Sequence, residues 1–169
     1  METQETIFNR RSVRKYTSKK IEDRVIEKII KAGMYAPSAR NLQSWHFVVC
    51  CKHKMLSELS EVHPYGKMLA EASHAILVCG DLTIEPSVEY NLINCSAAIQ
   101  NMLLMTHNLG FGAVWLGVYP REERVTAMNS FFVLPEYIIP IGLISLGVAA
   151  ETPDFPDRFK PERIHWEKY

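Results

Sequence analysis

Residues 87–109, SVEYNLINCSAAIQNMLLMTHNL, carry an apolar pattern that predicts one long, enclosed helix. Apolar side chains fall on nearly every face of this helix, and a helix that is apolar all round is normally buried. These side chains are Leu92, Cys95, Ala98, Ile99, Met102, Leu103 and Met105. We therefore expect this helix to form the centre of the fold, with the other elements packed around it.

Four apolar runs around the central helix are typical of buried strands. They cover residues 45–51, 75–80, 113–118 and 141–149. Helical spacing and the positions of turn residues predict further helices at residues 3–10, after residue 18, and near residues 52–60, 67–71 and 121–132. We expect Thr17 or Ser18 to cap the second helix. Pro135 and Pro140 are expected to lie in the connection that precedes the last strand.

The length and charge of the chain narrow the classes of protein to consider. A chain of 169 residues, 47% apolar and 22% charged, is typical of one soluble globular domain. Nineteen basic and nineteen acidic residues give a formal charge of zero, which argues against broad electrostatic binding to nucleic acid or to a membrane. With neither a signal-peptide pattern nor a membrane-spanning apolar run, we expect cytoplasmic residence.

The four cysteines are expected to be buried free thiols. Cys50, Cys51 and Cys79 lie in apolar runs that predict strands, and Cys95 lies in the central helix. The chain has no CxxC pair and no histidine at ligand spacing, so a structural metal site is not indicated.

The first candidate site is the basic segment that contains Arg10, Arg11, Ser12, Arg14 and Lys15. Guanidinium groups form paired, charge-assisted hydrogen bonds with phosphate oxygens, so this segment can bind a phosphate. A solvated basic turn and a nucleic-acid contact are the alternatives.

The second candidate site is the loop at residues 36–45, APSARNLQSW. Its asparagine and glutamine side chains offer paired donors and acceptors, which suit a heterocycle with alternating carbonyl groups and ring nitrogens. An ordinary turn is the alternative.

Two later segments complete the set of candidates. Residues 113–118, AVWLGV, predict a strand that ends in a glycine turn whose backbone N–H groups can face a ligand, or else a plain core strand. Residues 157–166 bring basic side chains back late in the chain, where a charged surface is the alternative. The tail also carries Phe155, Phe159, Ile164, Trp166 and Tyr169, which is too apolar for a solvated end, so we expect it to pack on a partner subunit.

Several common catalytic patterns are missing from the sequence. It contains no GxGxxG, no GxxxxGK[ST], no GxSxG and no HExxH motif. The six histidines are scattered without pairing. No side chain is therefore indicated as a catalytic acid, base or nucleophile, and no metal site is expected.

Taken in order, these segments resemble the FMN-binding nitroreductase family along essentially the whole chain. The matching segments are RRSVRKY (10–16), APSARNLQSWHFVV (36–49), HPYGKML (63–69), AVWLGV (113–118), ISLGVAAETP and DRFKPERIHW. The resemblance implies an α+β fold over residues 1–169, a single domain with a central mixed β-sheet of four to five strands surrounded by helices. It also implies an intertwined homodimer in which the tail, residues 151–169, extends over the partner subunit.

The resemblance further implies that FMN lies between the two subunits. The segment that holds its phosphate, ribityl chain and pyrimidine edge matches Arg10, Arg11, Ser12 and Arg14. The late basic segment would complete the phosphate site with Arg158 and Lys160. The loop that reaches the flavin from the other subunit matches Pro37, Ser38, Asn41 and Gln43. Lys67 would lie beside the flavin N1 and O2 edge, and the turn that meets the ring near N5 matches Trp115, Leu116 and Gly117.

The implied reaction is a ping-pong exchange in which NADH or NADPH reduces FMN and the reduced flavin then reduces a nitroaromatic, a quinone or a related small molecule. The cofactor carries the chemistry, which agrees with the missing catalytic motifs. Alternatives are another flavin reaction on this fold (reductive dehalogenation, a flavin-consuming lyase, or dehydrogenation of a biosynthetic intermediate) and a non-catalytic binding module. The chain has Ser44 where the family often has proline, and it is short for the family, which leaves the acceptor open.

Overall fold

The structure is a computed structural model that describes residues 2–169. Within that range the chain forms five α-helices and four strands, joined by three short 3-10 turns. The helices are α1 (Thr3–Asn9), α2 (Asp23–Met34), α3 (His53–Val62), α4 (Val88–Asn108) and α5 (Glu122–Phe132). The strands are β1 (Trp45–Cys50), β2 (His74–Asp81), β3 (Gly112–Gly117) and β4 (Ile138–Gly147). The 3-10 turns are Ala39–Asn41, Lys67–Glu71 and Pro161–Arg163.

The strands form one sheet in the order β1-β2-β4-β3, and each neighbouring pair is antiparallel. The expected α+β class is confirmed, but the prediction of a mixed sheet is wrong, because the sheet is entirely antiparallel. Helix α4 carries the chain from β2 to β3, and these two strands run in the same direction. They do not pair, because β4 lies between them and is antiparallel to both. The only parallel pairing among the described residues is an isolated bridge between Ser12 and Ala113.

The sheet is the middle layer of three. Alternate residues of a strand face opposite sides. Ile76 and Val78 of β2 accordingly pack with the core beneath α2 and α4. Ala75, Leu77 and Cys79 pack with the second core, beneath α3 and α5. β2 is buried along its whole length because both of its faces are covered.

Helix α4 begins where the sequence predicts, with the Ser87 side chain accepting a hydrogen bond from the Tyr90 backbone N–H. It packs on α2 and against the sheet, and Gly33 of α2 allows close approach to Met102. Its outer face is not enclosed within one chain, since Ile93 is 62% exposed. Within a single chain, the prediction of a helix covered on all sides therefore holds for the faces toward α2 and the sheet but not for the outer face.

The second helix and the last strand begin at different residues from those predicted. Glu22, not Thr17 or Ser18, precedes α2, because residues 17–21 form no helix and the Ile21 backbone N–H donates to the Ser73 hydroxyl (2.7 Å). Strand β4 already includes Pro140. A proline lacks the N–H that a regular ladder uses, and here it pairs at an irregularity in the register between β2 and β4.

The cysteines are free, but they are not all buried as expected. Cys50, Cys79 and Cys95 lie in the core, whereas Cys51 is exposed, because it follows the last residue of β1. Burial raises the pKa of the Cys50 thiol to about 11 and that of the Cys79 and Cys95 thiols to about 12. Three of the four thiols are therefore both covered and protonated at neutral pH.

Iodoacetamide at pH 7.5 is expected to modify one thiol per native chain, because only Cys51 is both accessible and outside the core. Intact mass spectrometry should show a single adduct before unfolding and four adducts in guanidinium. Peptide mapping should place the native adduct on Cys51, and rapid native labelling of Cys79 or Cys95 would contradict this packing.

Candidate functional site

The basic segment near the N-terminus is fixed to the ends of two strands. The Val13 backbone N–H donates to the Ala113 carbonyl (2.9 Å), beside the bridge between Ser12 and Ala113. Tyr16 forms an antiparallel bridge with Ala149 just beyond β4. The backbone that carries the arginines is thereby held against the edge of the sheet.

Tyr16 anchors this segment with its side chain as well. Its hydroxyl lies 2.8 Å from the Val13 carbonyl oxygen and 3.2 Å from the Ser145 carbonyl oxygen, both of which are acceptors. Burial raises the pKa of Tyr16 to about 12, so the hydroxyl keeps its proton. The ring fits because Gly147 has no side chain: a Cβ there would lie 2.5 Å from the Tyr16 ring.

Arg10 has a buried donor that no described residue satisfies. Its Nε is enclosed and has no hydrogen-bond partner within residues 2–169. Burial lowers the pKa of Arg10, and the positive charges of Arg158 and Arg11 lower it further. No carboxylate in the described part of the chain forms an ion pair with any of these three arginines. We call Arg10, Arg11 and Arg158 the arginine cluster.

Arg11 differs from Arg10 because three of its five N–H donors already have partners. It donates to the carbonyl oxygens of Asp154 (3.0 Å), Phe8 (2.7 Å) and Arg10 (2.8 Å). Its guanidinium carbon also lies 4.8 Å from the centre of the Phe155 ring. Arg11 therefore fixes the start of the tail beside Arg10.

The other predicted members of this group contribute less within one chain. The backbone N–H of Arg14 donates to a Glu151 carboxylate oxygen (2.6 Å), while the Arg14 side chain is exposed. Lys160 is exposed and makes no ion pair among the described residues. His107, which the sequence did not single out, lies near the cluster. Burial lowers its pKa, as do the charges of Arg10 and Arg11, and its Nε2 is buried without a partner in residues 2–169.

The loop at residues 36–44 is held by its own side chains. The Ser38 hydroxyl accepts the Gln43 backbone N–H (3.0 Å), and the Gln43 side-chain amide donates to Asn41 Oδ1 (3.0 Å). Arg40, Asn41 and Gln43 all have positive φ, between 52° and 55°, which costs energy for residues other than glycine. Three of the four predicted loop residues are thus in mutual contact, and Pro37 lies exposed beside them.

Contacts with the start of α4 hold this strained loop in place. Arg40 forms an ion pair with Glu85, a carboxylate whose side chain is 1% exposed. Glu85 also accepts the Ser87 backbone N–H (3.0 Å). Asn94 of α4 accepts the Ala39 backbone N–H (2.9 Å). The sequence did not mark Glu85 or Asn94, because their role depends on a contact between distant segments.

The end of β3 forms the third part of the candidate site. Trp115 is partly exposed and lies over Gly142 of β4, where any side chain would clash with the indole. The Leu116 side chain is buried, so only its backbone can face a ligand. The Gly117 carbonyl oxygen accepts from His63 Nε2 (3.1 Å) and from Arg124 Nη1 (2.8 Å). This contact brings the turn before Lys67 to the end of β3.

No hydrogen bond or ion pair in residues 2–169 joins the arginine cluster, the loop at residues 36–44 and the end of β3. A family model for the nitroreductase family matches residues 7–63 and 57–148, which together cover more than half of the chain.

The chain belongs to the nitroreductase family.

Relatives of this nitroreductase match it over almost its full length. A protein of Methanothermobacter thermautotrophicus, provisionally described as an NADH dehydrogenase/NAD(P)H nitroreductase, is 46% identical over 169 residues, which are all of this chain and 88% of that protein. A crystal structure from Parabacteroides distasonis with the same description is 37% identical and superposes with a TM-score of 0.94, covering 99% of this chain and 100% of the other. The predicted family and the predicted nitroreductase-like α+β fold are confirmed.

A second similar structure is described with a cofactor. It is a nitroreductase from Desulfovibrio desulfuricans, described as a complex with FMN. It is 29% identical to this nitroreductase, with a TM-score of 0.86 over 100% of this chain and 99% of that one.

Two further properties of this nitroreductase concern residues 2–169 only. None of the helices in that range combines the length and the hydrophobicity needed to cross a bilayer. Nor does that range place three His, Cys, Asp or Glu side chains together in a way that could hold a metal ion.

Proposed function

We propose that this protein binds FMN between two copies of the chain and uses NADH or NADPH to reduce nitroaromatics, quinones or related acceptors in a ping-pong reaction. The observation that carries the proposal is the arginine cluster. Its central member, Arg10, has a buried Nε without a partner in the described residues, and the neighbouring charges are positive. A dianionic phosphate supplies both the missing acceptor and the missing negative charge.

The enzyme class is an FMN-dependent NAD(P)H oxidoreductase of the nitroreductase type. Its cofactors are FMN and a nicotinamide nucleotide, in agreement with the FMN complex from Desulfovibrio desulfuricans and with the archaeal NAD(P)H nitroreductase relative. The chemistry that bound FMN would supply is hydride transfer between the nicotinamide and the acceptor. The chain's own residues bind, orient and stabilise, and no protein nucleophile is required.

The phosphate end of FMN is assigned to the arginine cluster and its neighbours. Arg10 would donate from Nε and from the rest of its guanidinium group, and Arg158 would bring a second guanidinium group. Arg11, occupied by three carbonyl oxygens, would hold the tail so that Arg158 stays close. The remaining proposed contacts to the phosphate, ribityl chain and pyrimidine edge come from Ser12, Arg14 and Lys160.

The ring end of FMN is assigned to residues from both subunits. Lys67 would stabilise negative charge at the N1 and O2 edge, and the backbone of residues 115–117 (Trp115, Leu116 and Gly117) would meet the ring near N5. The partner would contribute the strained loop with Pro37, Ser38, Asn41 and Gln43. Within one chain, contacts with Glu85 and Asn94 already hold this loop in its conformation. A preformed loop loses little conformational entropy on binding.

The homodimer is proposed from the apolar surface that one chain leaves open. Ile93 of α4 is exposed, and an open groove of about 680 Å³ lies between α1, α2 and α4, lined by Ile7, Tyr35 and Leu104 among others. Trp166 in the tail is 82% exposed. Residues 1–169 would form one domain whose tail, residues 151–169, lies on the partner. Cytoplasmic residence stays a prediction.

A visible spectrum of the purified protein tests the proposed function. We expect a yellow protein, or one that takes up added FMN, and we expect anaerobic NADH or NADPH to bleach the flavin band. Addition of a nitroaromatic or a quinone should restore the band. A protein that neither contains nor takes up FMN would refute the proposal. Bound FMN with negligible turnover of both acceptor classes would refute the assigned acceptors and favour another flavin reaction.

A further inference from the structure

The Gly117 carbonyl oxygen is the meeting point of two side chains from different elements. His63 follows the last residue of α3, and Arg124 lies in α5. Both donate to this oxygen, at 3.1 Å and 2.8 Å. A carbonyl oxygen has two lone pairs, so this acceptor is fully used. The orientation of the Gly117 peptide group is therefore fixed from two sides.

Both ring nitrogens of His63 have partners. Nε2 faces a carbonyl oxygen, which only accepts, and Nδ1 lies 3.2 Å from the Tyr65 backbone N–H, which only donates. These partners define a neutral imidazole that carries its proton on Nε2. The residue is only 2% exposed. The burial that lowers the pKa of His63 favours the same neutral form.

Tyr65 and Arg124 close the contact into a ring of interactions. The Arg124 guanidinium carbon lies 5.2 Å from the centre of the Tyr65 ring, a cation–π distance. The next residue, Gly66, donates its backbone N–H to the His63 carbonyl (2.8 Å) and starts the 3-10 turn whose first residue is Lys67. The turn that carries Lys67 is thus tied to the end of β3 through one imidazole.

We propose that His63 is a positioning residue that fixes the distance between the Lys67 turn and the Gly117 peptide group. The inference rests on the proposed function, in which these two groups meet the N1/O2 edge and the N5 region of one flavin. Two contacts to one rigid ring must keep a constant separation, and small errors of position are costly in a reaction that depends on alignment. His63 supplies this separation because it bonds to both groups at once.

The proposed role requires neutral His63. A proton on Nδ1 would face the Tyr65 N–H, so the bond to Tyr65 would be lost as pH falls through the lowered pKa of folded His63, which lies below the ordinary histidine value of 6.5. Arg124 from α5 is the charged group that faces the ring, and it opposes protonation. The other titratable neighbour is the Tyr65 hydroxyl of the same turn. In wild-type protein, protonation of His63 at acid pH should therefore loosen the fixed distance between the Lys67 turn and the Gly117 peptide group.

Two conservative variants separate the two bonds of His63. In His63→Asn the amide oxygen lies near the position of Nδ1 and can still accept from Tyr65. In His63→Gln the amide nitrogen lies near Nε2 and can still donate to Gly117. His63→Ala removes both bonds. His74→Gln is the matched control, because His74 is another buried histidine, 3% exposed, at the start of β2.

FMN titration, the flavin reduction potential and amide hydrogen exchange test the inference. We expect His63→Ala to weaken FMN binding about tenfold and to shift the flavin reduction potential. Its FMN affinity should also no longer fall at acid pH as the wild-type affinity does. The two amide variants should give intermediate affinities. The Tyr65 amide should exchange faster in His63→Gln and His63→Ala than in His63→Asn. His74→Gln should lower the thermal midpoint without changing FMN affinity.

The outcomes distinguish this inference from the proposed function. Failure of wild-type protein to bind FMN would refute the proposed function itself. The positioning role would be refuted, with the FMN site left intact, if all three His63 variants fold and show the same FMN affinity, flavin reduction potential and pH dependence as wild-type protein. Should His63→Ala fail to fold, the asparagine and glutamine variants and the exchange of the Tyr65 amide still decide the question.

Discussion

Replacing Arg10 with alanine is expected to weaken FMN binding about 10- to 100-fold while the fold remains intact. Hydrogen bonds to charged groups contribute about 1.5–3 kcal/mol each, which corresponds to a loss of this size for one contact. The variant removes a buried donor that is already without a partner in the described residues, so the fold loses no hydrogen bond. It also relieves the repulsion among Arg10, Arg11 and Arg158, which favours the free protein.

Fluorescence titration of flavin-free protein with FMN measures this effect. Arg10→Lys should give an intermediate affinity, because it keeps the charge but loses the guanidinium geometry. Arg24→Ala is the matched control, since Arg24 lies on the surface of α2 in an exposed pair with Glu22, and its affinity should stay within about twofold of wild type. Unchanged FMN affinity in Arg10→Ala would contradict the phosphate assignment.

Replacing Gly142 with alanine should destabilise the fold by about 1–3 kcal/mol, the usual cost of forcing a methyl group into a packed core. A Cβ at Gly142 would collide with the Trp115 indole and approach the end of the Ile99 side chain. Either the indole moves off β4 or strands β3 and β4 shift relative to each other. Guanidinium unfolding followed by circular dichroism measures the change.

Gly117 provides a control from the same strand pair, because it lies directly opposite Gly142 in the register of β3 and β4. A Cβ there would meet only the end of Arg124, at 3.9 Å. Gly117→Ala should therefore change stability by less than about 0.5 kcal/mol. Both variants are compared without flavin, so that altered FMN binding does not contribute to the apparent stability. Equal losses in the two variants would show that the Trp115 contact is not the cause.

The parts of the fold that follow from local pattern were predictable from the sequence. Helix α4 and the four strands lie where apolar periodicity places them, because burial of apolar side chains decides both the element and its position. Pro140 shows the limit of this reasoning. A proline normally interrupts a strand, but here the irregularity in the register between β2 and β4 accommodates it. The pairing partner, which decides the outcome, is far away in sequence.

The candidate site also has a part that could be predicted from the sequence and a part that could not. Segments dense in one kind of chemistry, such as the arginines near residue 10 and the amides near residue 41, were recognisable as sequences. His63, Glu85 and Arg124 were not, because each is an ordinary residue locally and gains its role from one tertiary contact. That no hydrogen bond or ion pair within residues 2–169 joins the arginine cluster to the loop at residues 36–44 also follows only from the folded chain.

Arg11 sets the reach of the C-terminal segment. By holding the Asp154 carbonyl and stacking on Phe155, it fixes the point from which residues 155–169 depart. Fully extended, about fifteen residues span roughly 50 Å. A chain of this size folds to a diameter of roughly 40 Å. The 3-10 turn at Pro161–Arg163 shortens the maximum span of the segment, so in the proposed dimer the segment would cover up to about one subunit's width from the point that Arg11 fixes.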